Sequence, residues 1–184
     1  MIYFISDTHF NHSNIIKYTN KPFKDVIEMN NTIINNWNSI IKEDDIVYHL
    51  GDFALADDEE LKELYSYLNG TIILIRGNHD GKSVKYYEDI GFKVLKNAPI
   101  ILDEYKLVLS HIPIPDAKIP DGYINLHGHI HNKKLNENYY SNNYSADKHI
   151  NVSVDVTNFK PISLNEINKL KEEWRIWRMK YMNT

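Results

Sequence analysis

The chain has no cysteine, which excludes a disulfide framework, a thiolate metal site and a cysteine nucleophile. Any bound metal must be held by His, Asp, Glu or Asn, a donor set suited to hard or borderline divalent ions. Long apolar runs are missing too. No stretch approaches a membrane span, and the opening residues, Met1-Ile2-Tyr3-Phe4-Ile5-Ser6-Asp7, lack a basic leader. A cytoplasmic protein without a membrane partner is the expectation. Nor does one sign of charge dominate: 21 basic residues stand against 25 acidic ones, a formal net charge of -4. That balance leaves no global footprint for a polyanion, so phosphate binding would have to be local. At 184 residues the chain fits one domain, 1–184, large enough to bury a core without covalent staples.

Short β-branched runs mark strands at Ile2 to Ile5, Asp45 to Leu50 and Thr71 to Ile75. Between the first two, Val26, Met29, Ile33, Trp37 and Ile40 recur at helical spacing. Leu61, Leu64, Tyr65 and Leu68 do the same before Gly70. This β-α-β-α-β opening predicts parallel strands with helical crossovers. After a helix near Ser83 to Ile90 the texture changes to short strands: Lys93 to Leu95, Pro99 to Leu102, Lys106 to Leu109, Tyr123 to His127 and Ile150 to Val156. The last alternates apolar and polar residues, as a strand with one buried face does. A capping box, Ser163 with Glu166, opens a final amphipathic helix along Leu164, Ile167, Leu170, Trp174, Trp177 and Tyr181. Pro113 to Gly122 and Asn132 to His149 read as loops.

Ligand-capable residues gather where the expected strands stop: Asp7-Thr8-His9, Gly51-Asp52, Gly77-Asn78-His79-Asp80, Ser110-His111 and Gly128-His129-Ile130-His131. The ends of the strands are where an α/β sheet presents its crevice. An Asp-x-His or His-x-His pair at a strand end would put both side chains on one face, converging on one ion. Carboxylate and imidazole without thiolate suit Mn, Fe, Ni, Co or Zn.

In their order and context these five blocks resemble the calcineurin-like metallophosphoesterases, and most closely the compact single-domain type of bacteria and phages. The resemblance runs from residue 2 to about Val156. It implies an α/β fold, a four-layer α-β-β-α sandwich of two mixed sheets flanked by helices. It further implies two divalent transition-metal ions, one held by Asp7, His9 and His131, the other by Asn78, His111 and His129, with Asp52 between them. In two-metal hydrolases the ions sit about 3.5–4 Å apart and lower the pKa of water to around 7, which would give a bridging hydroxide to attack a phosphate ester. His79 is the implied catalytic residue, assisting the leaving group. In the phosphoprotein phosphatases of this superfamily an Asp three residues after the bridging Asp orients it. That position is Leu55 here, which argues against that branch and leaves Asp80 as the candidate. His12, Lys17 and Arg76 are candidate contacts to substrate phosphate.

The remaining histidines, His49, His127 and His149, read as structural, the first two hydrogen-bonded within strands and the third in a loop. Trp174 and Trp177 read as packing. A phosphate-ester substrate follows from the resemblance, either a nucleotide-like phosphodiester or a small phosphomonoester. Tyr139, Tyr140 and Tyr144 offer aromatic surface for the former. A nuclease within a larger assembly, or a scaffold that keeps the fold for protein binding, are the other classes this fold serves. Retention of His79 and of the whole ligand set speaks against the scaffold.

Overall fold

The computed structural model describes residues 1–135 and 143–181; Tyr139, Tyr140 and the side chains of residues 177–181 lie outside the described residues. Four parallel strands, β1 (Ile2–Ile5), β2 (Ile46–His49), β3 (Thr71–Ile75) and β4 (Lys93–Leu95), form most of the first sheet. Its order is β4-β3-β2-β1-β9, with β9 (Ile162–Ser163) antiparallel to β1. The second sheet has the order β5-β6-β7-β8, from β5 (Ile100–Leu102), β6 (Leu107–Leu109), β7 (Ile124–His127) and β8 (His149–Asn151). β5 is antiparallel to β6 and the rest of this sheet is parallel. Both sheets are mixed and helices flank them, which is the α/β architecture expected of the resemblance.

The helices are α1 (Ile15–Tyr18), α2 (Val26–Asn38), α3 (Asp58–Ser66), α4 (Val84–Ile90) and α5 (Leu164–Tyr181). None of those described is long and apolar enough to cross a membrane. Asp25, Asp57 and Ser83 accept first-turn amides and so start α2, α3 and α4. Met29, Ile33 and Trp37 of α2 and Leu61 and Leu64 of α3 pack on Tyr3, Ile5, Val47, Ile72 and Leu74. Phe4, Leu50 and Ile75 face the other way and meet Leu107, Leu109, Leu126, Ile150 and, from α5, Ile167. Each large side chain so buried contributes about 1.5–3 kcal/mol of transfer free energy, and the two clusters clamp the first sheet from both faces.

Two expectations are corrected. The strand drawn from Ile150 to Val156 stops at Asn151, whose Oδ1 accepts the Ser153 amide at 2.9 Å and turns the chain. Ser153 then makes an isolated parallel bridge to Ser6, which ties the second sheet to the end of β1. His149, read as a loop residue, is buried at the start of β8 with Nε2 2.9 Å from Asp116 Oδ1.

Candidate metal centre

The loops leaving β1 and β2 run side by side beyond the strands. Asp7 donates its amide to the Gly51 carbonyl, His9 to that of Asp52 and Phe10 to that of Phe53, at 2.9–3.0 Å. Phe10 and Phe53 are fully buried with rings 5.3 Å apart, so the loops are anchored in the core. The loop after β3 joins them through Asp80, whose carboxylate accepts the amides of Gly77 and Asp52 at 2.7 Å and of Phe53 at 3.0 Å. Asp80 is therefore a strut between loops. Among the described residues it makes no hydrogen bond to the His79 ring, so it does not orient that side chain.

Two groups of side chains result, Asp7 with His9 and His131, and Asp52 with His111 and His129, each with ligand atoms within 4.8 Å of one another. Asp52 joins them: its Oδ2 is 3.5 Å from His9 Nε2 and 3.3 Å from His111 Nε2. Each central carboxylate is steered by a backbone amide, Asp7 by that of His129 at 3.0 Å and Asp52 by that of His79 at 2.8 Å. Asn78 is exposed at the rim, its Oδ1 2.9 Å from His111 Nε2. The expected seven residues are thus brought together. The strand-face reasoning fails for His129 and His131, however, which fall in different groups. Asp7, His9, Asp52, His129 and His131 all have φ between 45° and 69°, in the left-handed region, where strand alternation does not apply.

The atoms fit a cation. His9 Nε2 is buried without a hydrogen-bond partner, and burial pushes the His9 pKa down to about 3, so the ring presents a lone pair. Burial likewise raises Asp7 above the ordinary carboxylate range. Burial would raise Asp52 as well, yet the hydrogen bond and charge of His111 hold it well below that range. Burial would lower the His111 pKa, yet the hydrogen bond to Asp52 and the charge of Asp7 raise it, so without an ion His111 gives its Nε2 hydrogen to Asp52. Its Nδ1 lies 2.8 Å from the Leu50 carbonyl, which can only accept, so loss of the Nε2 hydrogen to an incoming ion leaves a lone pair there toward Asp52 and Asn78. Lone pairs converging in this way need a proton or a metal ion between them. A bound ion is what carboxylate, amide oxygen and imidazole together suit.

His79 is exposed, with its ring centroid 5.3 Å from that of His9 and 6.1 Å from that of His12. His12 Nδ1 lies 3.3 Å from His9 Nδ1, so His12 belongs to the cluster's rim. Arg76 donates Nη1 to the Lys82 carbonyl at 2.8 Å and Lys17 is exposed on α1; among the described residues neither hydrogen-bonds to the clustered side chains. Leu55 is 55% exposed, and Tyr144 lies beside His149, ring centroids 5.6 Å apart. A cavity of about 890 Å³ lies beside β8 and α5, lined among others by Ile130, Thr157, Ile162 and Leu170 and by none of the clustered residues.

Sequence reasoning missed Asp155 and Lys21. Asp155 Oδ2 is 2.8 Å from His131 Nδ1 and its Oδ1 is 2.6 Å from Lys21 Nζ. Burial opposes ionisation of Asp155, yet the His131 hydrogen bond and the Lys21 charge bring its pKa down to about 2.

Residues 1–177 match the family described as calcineurin-like phosphoesterase. The chain belongs to that family. This calcineurin-like phosphoesterase is 47% identical over 180 residues to the uncharacterized protein MJ1445 of Methanocaldococcus jannaschii, covering 96% of this chain and 94% of that one. It is 27% identical over 163 residues to the Gene 66 protein of Mycobacterium phage L5, covering 72% and 78%. The crystal structure of AQ665 from Aquifex aeolicus, a protein of unknown function, superposes with a TM-score of 0.69 at 30% identity, covering 92% of this chain and 98% of that one. Membership of the family implies a phosphate-ester substrate and divalent metal ions, and the two side-chain groups are where such ions would be held.

Proposed function

We propose that this phosphoesterase is a binuclear enzyme that hydrolyses a nucleotide-like phosphodiester. Asp7, His9 and His131 would hold one ion, Asn78, His111 and His129 the other, and Asp52 would serve both. The observation that carries this reading is the placement of one Asp52 oxygen between His9 Nε2 and His111 Nε2. When bound, two divalent ions activate water and neutralise charge on the phosphoryl oxygens. The ions are drawn from Mn, Fe, Ni, Co and Zn.

The chain's own residues then have separate tasks. Asp52 and Asp7 are the only anions among the proposed ligands, so the loaded site keeps net positive charge for an incoming phosphate. His79, at the solvent-facing rim, reaches the departing ester oxygen and gives it a proton. His9 must present Nε2 to an ion, so its Nδ1 carries the hydrogen toward His12 Nδ1. His12 then carries its own hydrogen on Nε2, as a donor for a phosphate oxygen. Arg76 and Lys17 supply longer-range attraction. The exposed rim at Asn78 and His79 leaves room for the second ester group of a diester.

The test is a substrate panel in manganese: bis- and mono-nitrophenyl phosphate, 2′,3′- and 3′,5′-cyclic nucleotides, and single-stranded oligonucleotides. The expected result is chelator-sensitive turnover, faster for diesters than for matched monoesters. A clear monoester preference would reassign the enzyme as a phosphatase. Inertness across the panel with two ions bound would favour a scaffold.

A further inference from the structure

Lys21 carries its ammonium into the interior, where the side chain is 0% exposed. An ammonium removed from water is costly unless paired, and a buried ion pair is often no more stabilising than well-packed apolar side chains. Nζ meets Asp155 Oδ1 at 2.6 Å, the other oxygen meets His131 Nδ1 at 2.8 Å, and Ser153 Oγ donates to that same oxygen at 3.1 Å. Phe159 closes the far side, with Lys21 Nζ 5.6 Å from its ring centroid.

The chemistry of this chain of contacts is directional. An ionised carboxylate only accepts, so His131 Nδ1 must carry the hydrogen, and Nε2 is left as a lone pair for the group it shares with Asp7 and His9. His111 gets the same instruction from the Leu50 carbonyl. His131 sits in a left-handed loop, φ 52°, and takes it from a side chain that is itself held in place by Lys21.

We propose that Asp155 and Lys21 are positioning residues that fix the tautomer and the orientation of His131 for metal binding. Asp155 sets which nitrogen faces the ion, and Lys21 holds Asp155 from behind. The inference rests on the reading of His131 as a ligand, made above.

The test is titration of the metal-free full-length protein with Mn²⁺, measured by calorimetry and by metal content. The variants are Asp155→Ala, Asp155→Asn, Lys21→Met and His131→Ala, with ¹⁵N chemical shifts of the His131 ring recorded in the metal-free state. Asp155→Ala and Lys21→Met are expected to weaken one ion by about 10- to 100-fold and to spare the other. Asp155→Asn, which keeps an acceptor oxygen, should recover part of the loss, and the wild-type ring should show hydrogen on Nδ1. If Asp155→Ala does not fold, the Asn and Met variants and the wild-type tautomer still decide. A merely structural role would lower the melting temperature of the variants while leaving both Mn²⁺ affinities unchanged, and that result overturns the proposal. So does a wild-type ring protonated on Nε2. Should His131→Ala itself retain both ions, it is the ligand reading that fails instead.

Discussion

The carboxylate of Asp80 accepts the backbone amide of Asp52 at 2.7 Å, so one buried acid holds the peptide that presents another. Asp80 also takes the amides of Gly77 and Phe53. Asp80→Ala would leave three amides without their partner, each costing about 1–3 kcal/mol. Urea unfolding of the metal-free protein should show a loss on the order of 3 kcal/mol or more, with Asp80→Asn intermediate. Mn²⁺ affinity should fall as well, since the loops carrying Asp52 and Asn78 lose their strut. Wild-type stability in the Ala variant would refute this role.

His79 should separate metal binding from chemistry. His79→Ala is expected to keep its metal content and lower kcat by about 10²–10⁴-fold on esters with poor leaving groups. The defect should shrink for nitrophenyl esters, which need little protonation. The measurement is kcat for His79→Ala and His79→Asn across leaving groups of graded pKa. An equal loss for all of them would assign His79 to electrostatic stabilisation of the phosphoryl oxygens.

Two buried histidines should make stability fall as the solution is acidified. Burial pushes His49 and His127 down to about 3, against about 6.5 in the unfolded chain. Below pH 6.5 the unfolded chain binds protons that the folded one refuses. The stability is therefore fully present above that pH and is lost as pH falls toward 3. Each histidine adds a slope of about 1.4 kcal/mol per pH unit at its steepest. Urea unfolding in chelator between pH 4.5 and 7 should show this slope, and His49→Gln or His127→Gln should each flatten it by one proton. Equal slopes in all three proteins would remove the claim.

Gly128 leaves no room for a side chain. An added Cβ would lie 2.0 Å from Ser6 Oγ and 2.3 Å from Asp7 Oδ2. Gly128→Ala should cost about 1–3 kcal/mol and displace Asp7, weakening Mn²⁺ at that ligand group. Gly81→Ala is the control, because a methyl there meets nothing within 4 Å. Metal titrations that match between the two variants would contradict the assignment.

The candidate centre was largely legible because its residues come in tight local blocks at strand ends, and local order survives in a sequence. Asp155 and Lys21 were not, since 134 positions separate them and neither lies in a block. The Val152-Ser153-Val154 alternation misled the fold reading. Val152 and Val154 are fully buried, as the pattern implies, yet the Asn151 turn breaks the ladder between them and β8. Helix α1 and strand β9, with four and two residues, are too short to show a period. The division of His129 and His131 between two groups was implied by resemblance but hidden from strand logic, because a left-handed residue carries no signature in its neighbours.

Those left-handed conformations bear on how the protein would respond to selection. At Asp7, His9, Asp52, His129 and His131 the backbone occupies a region that glycine enters freely and other residues enter at a cost of about 1–3 kcal/mol each. In a directed-evolution experiment, heat challenge in the presence of chelator should therefore enrich glycine at these positions, each change relaxing the chain while removing a proposed ligand. The same challenge with Mn²⁺ present should hold the original residues, since ion binding then outweighs local strain. Metal supply, rather than temperature, would decide whether the lineage remains an enzyme or becomes a sturdier protein with no chemistry.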